Sequence, residues 1–240
     1  MRNIPFTHIL ILAAVISSCR NASTPMPTST RMFYFDALLL GGTGKVYIYE
    51  PVADPLHPIE IWHNRFTGGY RESTLYHTLY SEDGKVLQDV AESIDKKGAT
   101  LTKLELAYPS GDSTRFLDAK IDQATMFLFG PPDTSIVAKY QVEYREPSDD
   151  SVRVILTRAR RFVNEEEYVY QDKTYPALRY VVDETLETET EGFTESTWQT
   201  TEIYALGLGL VYYKKPINDQ FVLEYRLKDI RDYSEFLSKK

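Results

Sequence analysis

From Met32 onwards the chain keeps returning to one pattern, short runs in which apolar and polar side chains alternate. Ile59, Ile61 and His63 alternate with Glu60, Trp62 and Asn64. Leu104, Leu106 and Tyr108 alternate with Lys103, Glu105 and Ala107, and Val152, Val154 and Leu156 with Arg153, Ile155 and Thr157. A period of two is the signature of a strand with one buried face. Lys45–Tyr49 (KVYIY) is β-branched and aromatic, between Gly41-Gly42-Thr43-Gly44 and Pro51. Further strand-like runs are 126–129, 136–144, 168–170, 177–190, 197–206 and 221–227. Turn clusters such as Glu82-Asp83-Gly84, Gly130-Pro131-Pro132-Asp133 and Ile217-Asn218-Asp219 separate these runs. They recur roughly every 10 to 20 residues, as in a meander of hairpins.

Composition sets the outer limits. With 42% apolar residues in 240, including 18 Tyr and 11 Phe, the chain carries enough apolar surface for a core and is no disordered polymer. A net charge of -8 removes the basic face that nucleic-acid phosphates need. One Cys excludes a disulfide framework and a multi-cysteine zinc site. The helix candidates are short, Val86 to Ile94 and Asp229 to Leu237, and no composition shift divides 32–240 into two domains. A transmembrane barrel would keep charge off one strand parity. Here Glu, Asp and Arg occupy both parities, and a non-membrane β domain is expected.

The first residues specify a destination. Met1-Arg2-Asn3 precedes an apolar stretch from Ile4 to Ile16, too short for a membrane span of about 20 residues. Ile16-Ser17-Ser18-Cys19 then resembles the lipobox of bacterial lipoproteins. The resemblance implies cleavage after residue 18, with two or three acyl chains on Cys19, enough for stable anchoring. Residues 19–31, rich in Ser, Thr and Pro, read as lipidated Cys and flexible tether. Arg20 is not the Asp that resembles an inner-membrane retention signal. The expected location is therefore the outer membrane, lipid-anchored and facing the periplasm.

The side chains with chemistry have plainer explanations. Gly41-Gly42-Thr43-Gly44-Lys45 lacks the spacing of a phosphate loop, and Val46 stands where Ser or Thr is needed. His57, His63 and His77 match no metal-binding spacing, and no Gly-x-Ser-x-Gly elbow nominates a nucleophile. His63 is read as a strand residue with an ordinary hydrogen bond. Asp183, Glu187, Glu189 and Glu191 share one parity and read as a wetted face rather than a calcium site. Arg158, Arg160 and Arg161 form a basic cluster that could meet lipid headgroups but is read instead as a solvated strand end or as partners for the many acids. No catalytic, metal or cofactor-binding residue is expected.

Thr201–Tyr213 (TEIYALGLGLVYY) resembles the Tyr-Ala-Lys-Gly-Val-Gly-Leu-Val signature of uncharacterised bacterial envelope proteins thought to be LolA-like, with Leu206 and Leu208 in place of Lys and Val. Lys173–Val181 looks like the strand that pairs nearby in those families. Gly207 and Gly209 would allow a bulge or sharp turn. With this resemblance the expected fold is one mainly antiparallel β domain over 32–240, a strongly curved sheet or open half-barrel with one or two short helices. The expected role is non-catalytic. It is either a structural or protein-interaction partner in the envelope, or a carrier that holds a lipid or acyl chain in a LolA-like concavity.

Overall fold

The computed structural model describes residues 29–238, apart from 53, 55, 70–72, 111–112, 147–148 and 219. The alternating runs become thirteen strands: β1 (Lys45–Pro51), β2 (Glu60–Gly68), β3 (Ser73–Tyr80), β4 (Val86–Ile94), β5 (Gly98–Ser110), β6 (Ser113–Asp118), β7 (Lys120–Leu128), β8 (Val137–Glu146), β9 (Asp149–Tyr170), β10 (Lys173–Glu189), β11 (Phe193–Ala205), β12 (Gly209–Asn218) and β13 (Phe221–Asp232). Two short helices flank them, α1 (Arg31–Tyr34) and α2 (Tyr233–Leu237). All strand pairs are antiparallel, in the order β4-β3-β2-β1-β13-β12-β11-β10-β9-β8-β7-β5, with β6 added on β5.

The two ends of that order meet. β4 also pairs with β5, from Gln88↔Leu106 to Ile94↔Ala99, and the sheet closes into a twelve-stranded barrel. The expected open half-barrel is therefore wrong, and the reason lies in β4. Val86, Val90 and Ile94 are spaced by four, which satisfies a helical stripe and a strand face equally. Read as a helix, the segment removes the strand that joins β3 to β5 and leaves an open edge. Likewise Asp229–Asp232, expected as helix, continues β13, and only Tyr233–Leu237 is helical.

Strand direction alternates, so the connections sort to two ends. One end carries the turns after β2, β4, β7, β9 and β11. The other, the mouth, carries those after β1, β3, β8, β10 and β12. The β9–β10 turn is tight: Gln171 and Asp172 both adopt positive φ, 48° and 61°, as a two-residue type I′ hairpin requires.

Side chains just fill a barrel of about eight strands, and twelve leave a wider interior. The N-terminal segment plugs one end of it. Thr30 donates from its backbone N–H to Gly130 O and from its hydroxyl to Leu128 O, both at 2.8 Å. Phe33 is fully buried, and the Tyr34 ring stacks on Phe127 with centroids 4.3 Å apart. The Gly-x-Gly segment is the β11–β12 turn that receives this plug. Gly207 N–H donates to Met32 O at 2.9 Å. Gly209 has a φ of 84°, and a Cβ there would stand 3.2 Å from Tyr34 O. The core around the plug includes Leu178, Tyr180, Ile203, Tyr204 and Val211. Each such side chain contributes about 1.5–3 kcal/mol through burial.

Outside the barrel, Tyr233 and Phe236 of α2 cover Val46, Ile48 and Ile61. The rest of the outer surface bears ion pairs, among them Glu50 with Arg226 and Lys228, Glu143 with Lys120 and Arg153, and Glu166 with Arg179. A membrane barrel shows lipid an apolar band, and this outer face is charged.

Candidate functional site

The inward parity of the strands carries an unusual proportion of polar groups. A cavity of about 520 Å³, partly open to solvent, runs from Tyr34, Phe35 and Leu40 of the plug to Leu106, Tyr144 and Leu223 nearer the mouth. Its lining falls into three parts. Val90, Leu101, Leu104, Tyr140 and Leu156 form an apolar wall from β4, β5, β8 and β9.

Beside that wall lies an ionic network. Arg158 and Arg160 on β9 point inward, two residues apart, and meet Glu184 on β10 and Glu202 on β11. Arg160 Nε donates to Glu202 Oε2 at 2.7 Å, and Arg158 Nη2 donates to Glu202 Oε1 at 2.8 Å and Glu184 Oε1 at 3.2 Å. Glu184 also accepts from Thr200 Oγ1 at 2.6 Å and Lys215 Nζ at 2.8 Å. Tyr204 donates to Glu202 at 2.9 Å, and Arg160 also reaches Met126 O. Glu184 and Glu202 are 2% and 3% exposed. Charges this deep persist only when paired and hydrogen-bonded, as these are. Burial raises the pKa of Glu202, but Arg160, Arg158 and the Tyr204 hydroxyl override it and hold the carboxyl at about 2. The same balance of burial against Arg158 and Lys215 lowers Glu184. Burial raises Tyr204 well above an ordinary phenol, and neighbouring Glu202 adds to the effect.

The remaining polar groups lie on β2, β3 and β4. Glu92, 1% exposed, accepts from Tyr34 Oη with both oxygens at 2.9 Å and so ties the plug to the wall. His77 places Nδ1 2.7 Å from Asn64 Oδ1 and Nε2 3.4 Å from Glu92 Oε1. Glu60 accepts from Tyr213 Oη at 2.5 Å and Trp62 Nε1 at 3.0 Å. Pairs and hydrogen bonds of this kind fix orientation in an otherwise apolar pocket.

Sequence expectations map onto this site unevenly. Cys19, the expected lipid anchor, lies outside the described residues, as does the expected signal over 1–18. Arg158 and Arg160 pair with acids, one of the two alternatives read for them, whereas Arg161 lies on the other face of β9. His63 has Nε2 2.7 Å from Thr43 O and its ring stacked 3.8 Å from Tyr233, outside the barrel. Gly41–Gly44 is a turn against β2, where a Cβ on Gly44 would clash with Asn64 O. Asp183 is exposed, and Glu187 and Glu189 are half-buried. The reading missed Glu60, Glu92, Glu184 and Glu202. Glu184 shares parity with Val182 and Leu186, and Glu202 with Thr200 and Tyr204. An acid on the apolar parity of one strand, with an arginine on that of its neighbour, was the available signal.

No protein-family model matches the chain, and no curated protein matches it in sequence. Solved structures do share its fold. One is a candidate lipoprotein from Parabacteroides distasonis, with 13% identity and a TM-score of 0.52 over 83% of this chain and 98% of that one. Another is a candidate exported protein from Bacteroides fragilis described as having a YmcC-like fold, with 13% identity and a TM-score of 0.53 over 83% and 99%. This chain is thus similar in fold to two bacterial proteins.

Proposed function

We propose that the chain is a non-catalytic, lipid-anchored protein of the bacterial envelope whose barrel holds a small apolar or amphiphilic ligand. The cavity carries this reading. At about 520 Å³ it falls within the range of about 300–1,000 Å³ typical of small-molecule sites, and it combines an apolar wall with a few fixed polar groups. Non-catalysis is supported by the way Glu184 and Glu202 are locked by several donors each. The lipobox-like segment ending at Cys19 supports anchoring at the outer membrane, facing the periplasm. The fold likeness to a candidate lipoprotein and a candidate exported protein points the same way.

A second reading, a docking partner for another envelope protein, is favoured by apolar side chains at the mouth end. Leu56 is 91% exposed and Phe193 57%. Titration of the Cys19→Ala protein with the neutral apolar dye N-phenyl-1-naphthylamine tests between the two. Saturable one-to-one binding that quenches Trp62, which lines the cavity, supports the ligand reading. Failure to bind, with specific capture of one envelope protein that Leu56→Ser and Phe193→Ser abolish, supports the docking reading.

A further inference from the structure

The charges inside the barrel do not balance. The cavity lining contains three permanent cations, Arg158, Arg160 and Lys215, and four carboxylates, Glu60, Glu92, Glu184 and Glu202. The cations are all committed, since Arg158 pairs with Glu184 and Glu202, Arg160 with Glu202, and Lys215 with Glu184. Glu92 has His77 at 3.4 Å. Glu60 faces no cation among the described residues, and its two hydrogen bonds come from the neutral donors Tyr213 and Trp62.

Aromatic rings surround that carboxylate. Tyr49, Trp62 and Tyr213 line the cavity with it, and Tyr213 stacks on Tyr225 with centroids 5.3 Å apart. The charge of Glu60 adds to burial in raising the pKa of Tyr49, Tyr213 and Tyr225, which places all three phenols within its field. Aromatic side chains beside a carboxylate that pairs with no cation favour a cationic guest, because ring quadrupole and carboxylate attract the same charge. The hydroxyl groups of Tyr49 and Tyr225 are turned away to the backbone at Leu210 O and Pro58 O, which fixes their rings.

Building on the ligand reading above, we infer that the occupant is a cationic amphiphile. Its ammonium group sits at Glu60 among Tyr49, Trp62 and Tyr213, and its apolar portion lies along the wall of Val90, Leu101, Leu104 and Leu156. Such a ligand supplies the positive charge that the lining lacks. It also leaves the Arg158–Glu184–Glu202 network intact.

The probes are three matched eight-carbon compounds, octyltrimethylammonium, octanol and octyl sulfate, titrated by calorimetry and Trp62 fluorescence below their aggregation concentrations. The expected order is ammonium tightest and sulfate weakest. Glu60→Gln, which keeps the length of the side chain and one acceptor oxygen while removing the charge, should weaken the ammonium compound about tenfold and leave octanol unchanged. Equal binding of octanol, or tighter binding of octyl sulfate, by the unaltered protein overturns the inference while the cavity remains a ligand site. An unchanged ammonium affinity in Glu60→Gln also overturns it. Binding of none of the three removes the ligand reading as well. The comparison of the three probes on the unaltered protein stands even if the variant folds poorly.

Discussion

Arg160 reaches across a whole strand to Glu202: the two residues sit on β9 and β11, with β10 between them, yet Nε and Oε2 are 2.7 Å apart. The bond therefore ties three neighbouring strands from inside the barrel. Removing one partner leaves a buried charge, and such a loss costs roughly 3–5 kcal/mol. Glu202→Ala should lower unfolding free energy in urea by that amount. Lys85→Gln, which breaks the exposed pair with Asp83, should change it by less than about 1 kcal/mol. Similar losses from both would contradict the buried role of the network.

Acid should find the same weak point. The carboxyl of Glu202 is held at about 2 against an ordinary 4.5, so the folded state binds its proton less readily than the unfolded one. The stabilisation is complete above pH 4.5 and is lost as pH falls towards 2. Glu184, also lowered, acts in the same direction. Thermal midpoints should be flat from neutral pH to about 5 and then fall steeply. In Glu202→Gln the fall should be shallower from a lower plateau.

Tyr34 connects plug to wall. Replacing it with Phe leaves the Glu92 carboxylate, 1% exposed, without its hydroxyl donor. The expected loss is about 1–3 kcal/mol, with faster amide hydrogen exchange confined to 30–44 and the β11–β12 turn. Uniform acceleration across the barrel would mean that α1 is not a separate plug.

The strand-like runs Lys45–Tyr49, Val152–Thr157 and 177–190 are legible because they are dense in β-branched and aromatic side chains and bounded by turn residues. β4 is not. Its inward face reads Val86, Gln88, Val90, Glu92, Ile94, and the inward Gln and Glu erase the contrast that distinguishes period two from a helical stripe. With β4 misread, closure cannot be seen, and neither can the cavity that closure creates. Arg158 and Arg160 are visible as a cluster, whereas their partners Glu184 and Glu202 lie about 25 to 45 residues away. Only the register of β9, β10 and β11 brings them together. Charge inside a barrel breaks the rule by which inward faces are recognised.

Anchoring is expected to depend on one atom. Cys19→Ala should move the protein from the membrane to the soluble periplasmic fraction and abolish incorporation of labelled acyl chains. Continued partition with outer-membrane vesicles and unchanged labelling would contradict the lipobox reading.

Native mass spectrometry of the Cys19→Ala protein, purified gently from its own host, tests the ligand-binding cavity most directly. A stoichiometric adduct of small-molecule mass should accompany the chain and should disappear in Leu104→Trp, where the larger ring fills the apolar wall. A bare polypeptide mass for both proteins, with Leu104→Trp simply more stable, would show instead that the interior holds no ligand.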